Sequence, residues 1–89
     1  MTVTDSLGNT YSHGDDGTYR ATAVVAGRAN VCVEGDGLMS AAFSIAGSLG
    51  ATLIATTGTS IMCPLLVRAG DVIEVFPIRA TAPPPPAAP

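Results

Sequence analysis

The chain has no lysine and no tryptophan, a single histidine, and charged side chains at only 12% of its 89 positions. Each shortage removes a class of function. Nucleic-acid binding needs a clustered basic footprint to displace phosphate counterions. The four arginines, at 20, 28, 68 and 79, are scattered through a chain of net charge −3. Aromatic residues are 4% of the chain, Tyr11, Tyr19, Phe43 and Phe76, too few for a base-stacking platform for single strands. Nucleic acid is therefore not expected as a partner.

With His13 alone in a glycine-rich stretch, no Ser–His–Asp arrangement has a base on a firm element, so His13 is expected to be a solvated loop residue. A metal site wants three or four ligands on firm elements. His13, Asp15 and Asp16 imitate one, but a calcium loop spaces its acidic ligands over about twelve residues, and Asp-Asp-Gly reads as a turn. No GxGxxG or GxxxxGK[ST] cradle for phosphate exists. Asp36 and Asp71 fall in turns, where Asp bonds its own backbone. The expectation is no enzyme, no cofactor and no metal.

Cys32 and Cys63 are the only thiols. They read as small buried hydrophobes; a bridge between them would require Cα atoms within about 7 Å. Met1-Thr-Val-Thr-Asp5 shows neither the basic nor the apolar region of a secretory signal, so cytosolic synthesis is expected.

Hydrophobic residues make up 47% of the chain. From Gly37 to Val67 there is no charge at all, a run longer than the ~20 residues of a membrane helix. Recurring Ser and Thr, the helix-weakening Gly47, Gly50, Gly58 and Pro64, and flanks without a basic cluster or aromatic belt argue against a span. Strands buried on both faces, or on one face and a subunit contact, fit better.

The periodicity agrees. Residues 1–17 hold turn formers and one short strand. Thr18 to Val25 alternates, with Tyr19, Ala21, Ala23 and Val25 on one side. Arg28 to Glu34 alternates again, placing Ala29, Val31 and Val33 together, and Gly35-Asp36-Gly37 reads as a tight hairpin. Leu38 to Ala46 is either a strand with Met39, Ala41, Phe43 and Ile45 inward or a helix with a Leu38, Ala42, Ile45, Leu49 stripe. Gly47, Gly50 and the alternating serines favour the strand. Ala51 to Thr57 and Thr59 to Arg68 are Thr-rich strands, the second an edge strand or bulged at Pro64. After the turn Arg68-Ala-Gly-Asp71, Val72 to Ile78 is the last strand. About six to eight short antiparallel strands with regular turns predict one all-β domain over residues 1–80, a sandwich or small barrel. Residues 81–89 form a tail whose four consecutive prolines, Pro83 to Pro86, favour polyproline II.

The segment Pro64-Leu-Leu-Val-Arg-Ala-Gly-Asp-Val-Ile-Glu-Val75 resembles the closing hairpin of small jelly-roll modules, such as bacteriophage decoration or cement proteins and fibre knobs. Cupins and lipoyl-type domains use a similar Gly-Asp turn, but lack support here: there is no histidine cluster for the first and no lysine for the second. The resemblance implies a jelly-roll-like sandwich and a virion structural protein, made in the host cytoplasm. It would bind its own copies, as a trimer, and a major capsid or other virion protein, with no membrane. The alternative is a carbohydrate- or receptor-binding β module, which would need exposed Tyr11 or Tyr19. Candidate interface residues are Met39, Phe43, Ile45, Leu53, Ile54 and the prolines Pro83, Pro84, Pro85 and Pro86.

Overall fold

Period-two patterning becomes eight antiparallel strands in the computed structural model, which describes residues 1–80. They are β1 (Thr2–Asp5), β2 (Ser12–His13), β3 (Tyr19–Thr22), β4 (Gly27–Glu34), β5 (Leu38–Ile45), β6 (Thr52–Ala55), β7 (Ser60–Val67) and β8 (Val72–Arg79). A three-stranded sheet, β1-β4-β7, faces a five-stranded sheet, β2-β3-β8-β5-β6. The fold is the expected all-β, jelly-roll-like sandwich: from β3 on, the chain changes sheet at every connection except β5 to β6.

The core forms where the two inner faces meet. Ala29, Val31 and Val33 of β4 and Ile61, Cys63 and Val67 of β7 pack against Ala41 and Phe43 of β5 and Ile73 and Val75 of β8. Phe43, at 1% exposure, is the largest of these. Fully burying a side chain of this kind stabilises by about 1.5–3 kcal/mol. Leu38–Ile45 is strand, and among the described residues no helix is long and apolar enough to cross a membrane.

Four expectations need correcting. Gly35-Asp36-Gly37 does not close a hairpin, because β4 and β5 lie in different sheets. Three residues extend about 10 Å, the distance between packed sheets, so the segment is a corner. Gly37 takes φ +76° there, a value that glycine reaches without strain. Arg68–Asp71 is likewise a turn but not a hairpin. The Asp71 N–H donates to the Arg68 carbonyl, the Asp71 carboxylate accepts from the Arg68 N–H at 2.8 Å, and β8 leaves in the opposite sheet.

The third correction concerns β5. Leu38 opposes Arg79 while Ser40 opposes Ile78, so Met39 is an extra residue in a bulge. Leu38 takes the buried place, and Met39 is exposed rather than inward. The fourth concerns the early chain. β3 stops at Thr22, leaving Val24 and Val25 exposed, and the N-terminal region holds the two-residue β2 besides β1.

Pro64 does sit on an edge strand. The Asn30 N–H and C=O both turn toward Ser6, at 2.9 and 3.2 Å. Asn30 and Pro64 are register partners, so in this antiparallel ladder they form a non-hydrogen-bonded pair. The ring nitrogen of Pro64 then points off the sheet, where no donor is needed. Pro77 is in a central strand, but β3 ends at the register of Val75, so its flank on that side is open.

Candidate interaction surface

Strand pairing lays the outer face of the five-stranded sheet out in rows. One row is polar: Ser12, Arg20, Glu74 and Ser44. The next is Phe76, Ala42 and Leu53, and beyond it Ile78, Ser40 and Ala55. Directly paired residues stand about 4.5–5.5 Å apart at Cβ, so the last two rows make one uncharged strip, apolar except for Ser40. Leu53 is 66% exposed and Phe76 43%. Met39 lies exposed at its end, brought there by the bulge.

The polar row borders the strip on one side. The Arg20 guanidinium meets Asp16 Oδ2 at 2.8 Å and Glu74 Oε2 at 2.9 Å. Hydrogen bonding to Arg20 lowers the Asp16 carboxyl to about 2. These groups are largely wet, so the pairs contribute little stability; they leave Arg20 with its charge already matched. The opposite sheet has a second apolar strip on its outer face, Met62, Pro64 and Leu66 of the edge strand β7.

The sequence-derived interface set divides. Met39 and Leu53 lie on the exposed strip. Phe43 is interior, and Ile45 and Ile54 are partly buried against the core, so these three support the surface from beneath rather than form it. Pro83, Pro84, Pro85 and Pro86 lie outside the described residues. Phe76, Ile78, Met62 and Leu66, outside that set, are exposed as well. Their signal is in the sequence: Ile73 and Val75 fill the inward positions of β8, and further apolar residues on the alternate side mean a strand greasy on both faces.

The polar clusters hold the fold together. The Asp5 carboxylate accepts from the Leu7 and Asn9 N–H groups, from Asn9 Nδ2 at 2.9 Å and from the Tyr11 hydroxyl at 2.8 Å. Partial burial raises its pKa, but bonds from Asn9, Tyr11 and the backbone outweigh it, and the net shift is downward. Burial and the Asp5 contact push the Tyr11 hydroxyl up, so it stays a donor. Asn9 Oδ1 accepts from the Val24 N–H, tying the N-terminal loop to the chain after β3. His13 stacks on Tyr19. Among the described residues, no three His, Cys, Asp or Glu side chains gather as metal ligands, and no buried side-chain polar atom lacks a partner. A cleft lined by Asn9, Ser12, Arg20, Thr22 and Val24 offers one ionisable group, the already paired Arg20.

Both cysteines are free. Cys63 is in the core as expected, but Cys32 is half-buried on the outer face, its sulfur 3.7 Å from Glu34 Oε1. Val31, not Cys32, is the register partner of Cys63. The two thiols therefore point to opposite faces of the sheet. Burial and the neighbouring Glu34 raise the Cys32 pKa, which makes it a poor nucleophile at neutral pH.

No family model, curated protein or solved structure matches the chain.

Proposed function

We propose that this chain is a non-catalytic structural protein of a virion: a decoration, or cement, protein that assembles as a trimer and seats on the outside of a phage shell, stabilising it. The carrying observation is the uncharged strip of Phe76, Leu53, Ile78 and Met39 on the outer face of the five-stranded sheet. An exposed, largely apolar surface of this kind marks protein contact. A second strip on β7 gives the molecule two such faces, one for its own copies and one for a major capsid or other virion protein. The low overall charge, 12% of residues, leaves little else to solvate those faces. The assignment to a virion rests on the jelly-roll-like strand winding; residues 64–75, which resemble a closing hairpin in sequence, join the two sheets instead.

Apolar area is worth about 25 cal/mol per Å² before the costs of association. A standard interface buries about 1,600 Å² in total. Two sheet faces of a small sandwich can supply area of that order. The carbohydrate-binding alternative needs exposed ring platforms, but Tyr11 and Tyr19 are both packed against the core, so no observation favours it.

Co-sedimentation with shells of the virion that encodes the chain tests the proposal. The protein is expected to pellet with shells and raise their disruption temperature. Protein that stays in the supernatant at saturating concentration, leaving shell stability unchanged, refutes the decoration role.

A further inference from the structure

Four strands end the two sheets, β1 and β7 in one, β2 and β6 in the other. An edge strand leaves a row of backbone N–H and C=O groups unpaired, and proteins blunt such rows with short strands, charges, bulges or proline. β2 has two residues, and β1 and β6 have four each, with Asp5 closing β1. β7 runs for eight, Ser60 to Val67, without a charge and in unbroken register with β4. Its one blunting device is Pro64.

Register fixes which groups are free. Pro64 opposes Asn30 in a non-hydrogen-bonded pair, so Met62 and Leu66, two positions to either side, are also unbonded to β4. The N–H groups of Met62 and Leu66 and the carbonyls of Met62, Pro64 and Leu66 therefore point off the sheet. The same residues turn their side chains to the outer face, Met62 62% and Leu66 79% exposed. Open backbone and apolar side chains thus repeat together about every 6.8 Å, a pattern that another extended strand matches in both respects. A second copy fits this edge poorly. Two β7 strands paired about a two-fold axis would set Pro64 into the ladder twice, and no other edge among the described residues is long enough to cover eight residues. The flanking charges describe a different partner. Arg28 opposes Leu66 and Arg68 follows Val67, both exposed. Among the described residues only Arg20 makes ion pairs, and the Asp71 carboxylate is held by the Arg68 backbone N–H, not its guanidinium. Glu34 opposes Ser60 at the other end. The complementary segment is apolar at alternate positions in its middle and acidic where it meets Arg28 and Arg68.

We propose that β7 docks an extended strand of the shell subunit, which adds to the β1-β4-β7 sheet beside β7 and lays an acidic end against Arg28 and Arg68. This rests on the shell-binding reading above and names its contact, leaving the outer face of the five-stranded sheet to the chain's own copies.

The test compares amide hydrogen exchange, residue by residue, in the free chain and in the chain bound to shells of the virion that encodes it. The Met62 and Leu66 N–H groups, open in the free chain, should exchange at least about tenfold more slowly when bound. Leu66→Pro removes one outward donor without touching the β4 ladder. It should melt like the wild type yet bind shells about tenfold more weakly, whereas Leu66→Ala keeps the donor and should keep the slowed exchange at 66. A wild type that binds shells while Met62 and Leu66 exchange as in the free chain overturns strand docking and leaves the decoration role standing. A folded Leu66→Pro that binds like the wild type overturns it too, and if that variant fails to fold, the wild-type exchange decides alone. If the wild type never binds shells, the decoration reading and the docked strand fall together.

Discussion

Replacing Asp5 by alanine should cost on the order of 3 kcal/mol, because one carboxylate organises the whole N-terminal loop. It accepts four hydrogen bonds, from two backbone N–H groups, Asn9 Nδ2 and the Tyr11 hydroxyl. Asn9 is the one buried polar residue among those described, so stranding its amide costs about 1–3 kcal/mol. Tyr11 is half-buried and the two N–H groups are partly wet, so water replaces much of what they lose; together they add roughly 1 kcal/mol. In a domain of this size, 3 kcal/mol lowers the melting temperature by roughly 15 °C or more. Urea unfolding followed by circular dichroism measures it as a lower midpoint at unchanged slope. Asp5→Asn keeps the shape and one acceptor and should fall between the two.

The pH dependence supplies a sign. The Asp5 pKa is lower in the fold than in the unfolded chain, where it is about 3.9. Its charge-dependent contribution is complete above the unfolded value and disappears as pH falls through the folded one. The gap between wild type and Asp5→Ala should therefore be flat above about pH 5 and narrow below about pH 4. A loss under about 0.5 kcal/mol, or a gap that does not narrow in acid, would refute the role given to this carboxylate.

Further outcomes are expected elsewhere. Phe43→Ala should cost about 3–5 kcal/mol in denaturant titration, since its ring is fully buried at the sheet contact and leaves a cavity. Arg20→Ala should change stability by at most about 1 kcal/mol, because both of its ion pairs are largely wet. Reductant should leave the melting temperature unchanged, and in the native protein a thiol reagent should label Cys32 before Cys63, since the sulfurs lie on opposite faces and only Cys32 reaches the surface.

Which side chains point inward was largely legible. Ala29, Val31 and Val33 alternate with polar neighbours, and the structure buries those three. Which strand each one pairs with was not. Gly35-Asp36-Gly37 and Arg68–Asp71 have the residues of hairpin turns, yet both carry the chain between sheets. Alternation encodes a face but not a neighbour, and a positive-φ glycine serves either kind of corner. Met39 shows a second limit, since one inserted residue in β5 reverses its side, and nothing in Leu38-Met39-Ser40 marks the insertion. Exposure of the expected interface residues is half legible: Leu53 and Met39 are exposed, whereas the strand position of Phe43 puts it inside. Phe76 and Ile78 lie outside the uncharged run of residues 37–67, so charge-free length alone does not point to them. β8 carries Glu74 and Arg79, yet its outer face beyond Glu74 is apolar.

Sedimentation equilibrium on the wild type and on Leu53→Glu weighs the claim that the bare sheet face is covered by other copies. The wild type is predicted at three times the 8.9 kDa of one chain, and Leu53→Glu at one, with its circular dichroism spectrum unchanged. A wild-type chain that stays at 8.9 kDa across tens to hundreds of micromolar (~10⁻⁵–10⁻⁴ M) contradicts it.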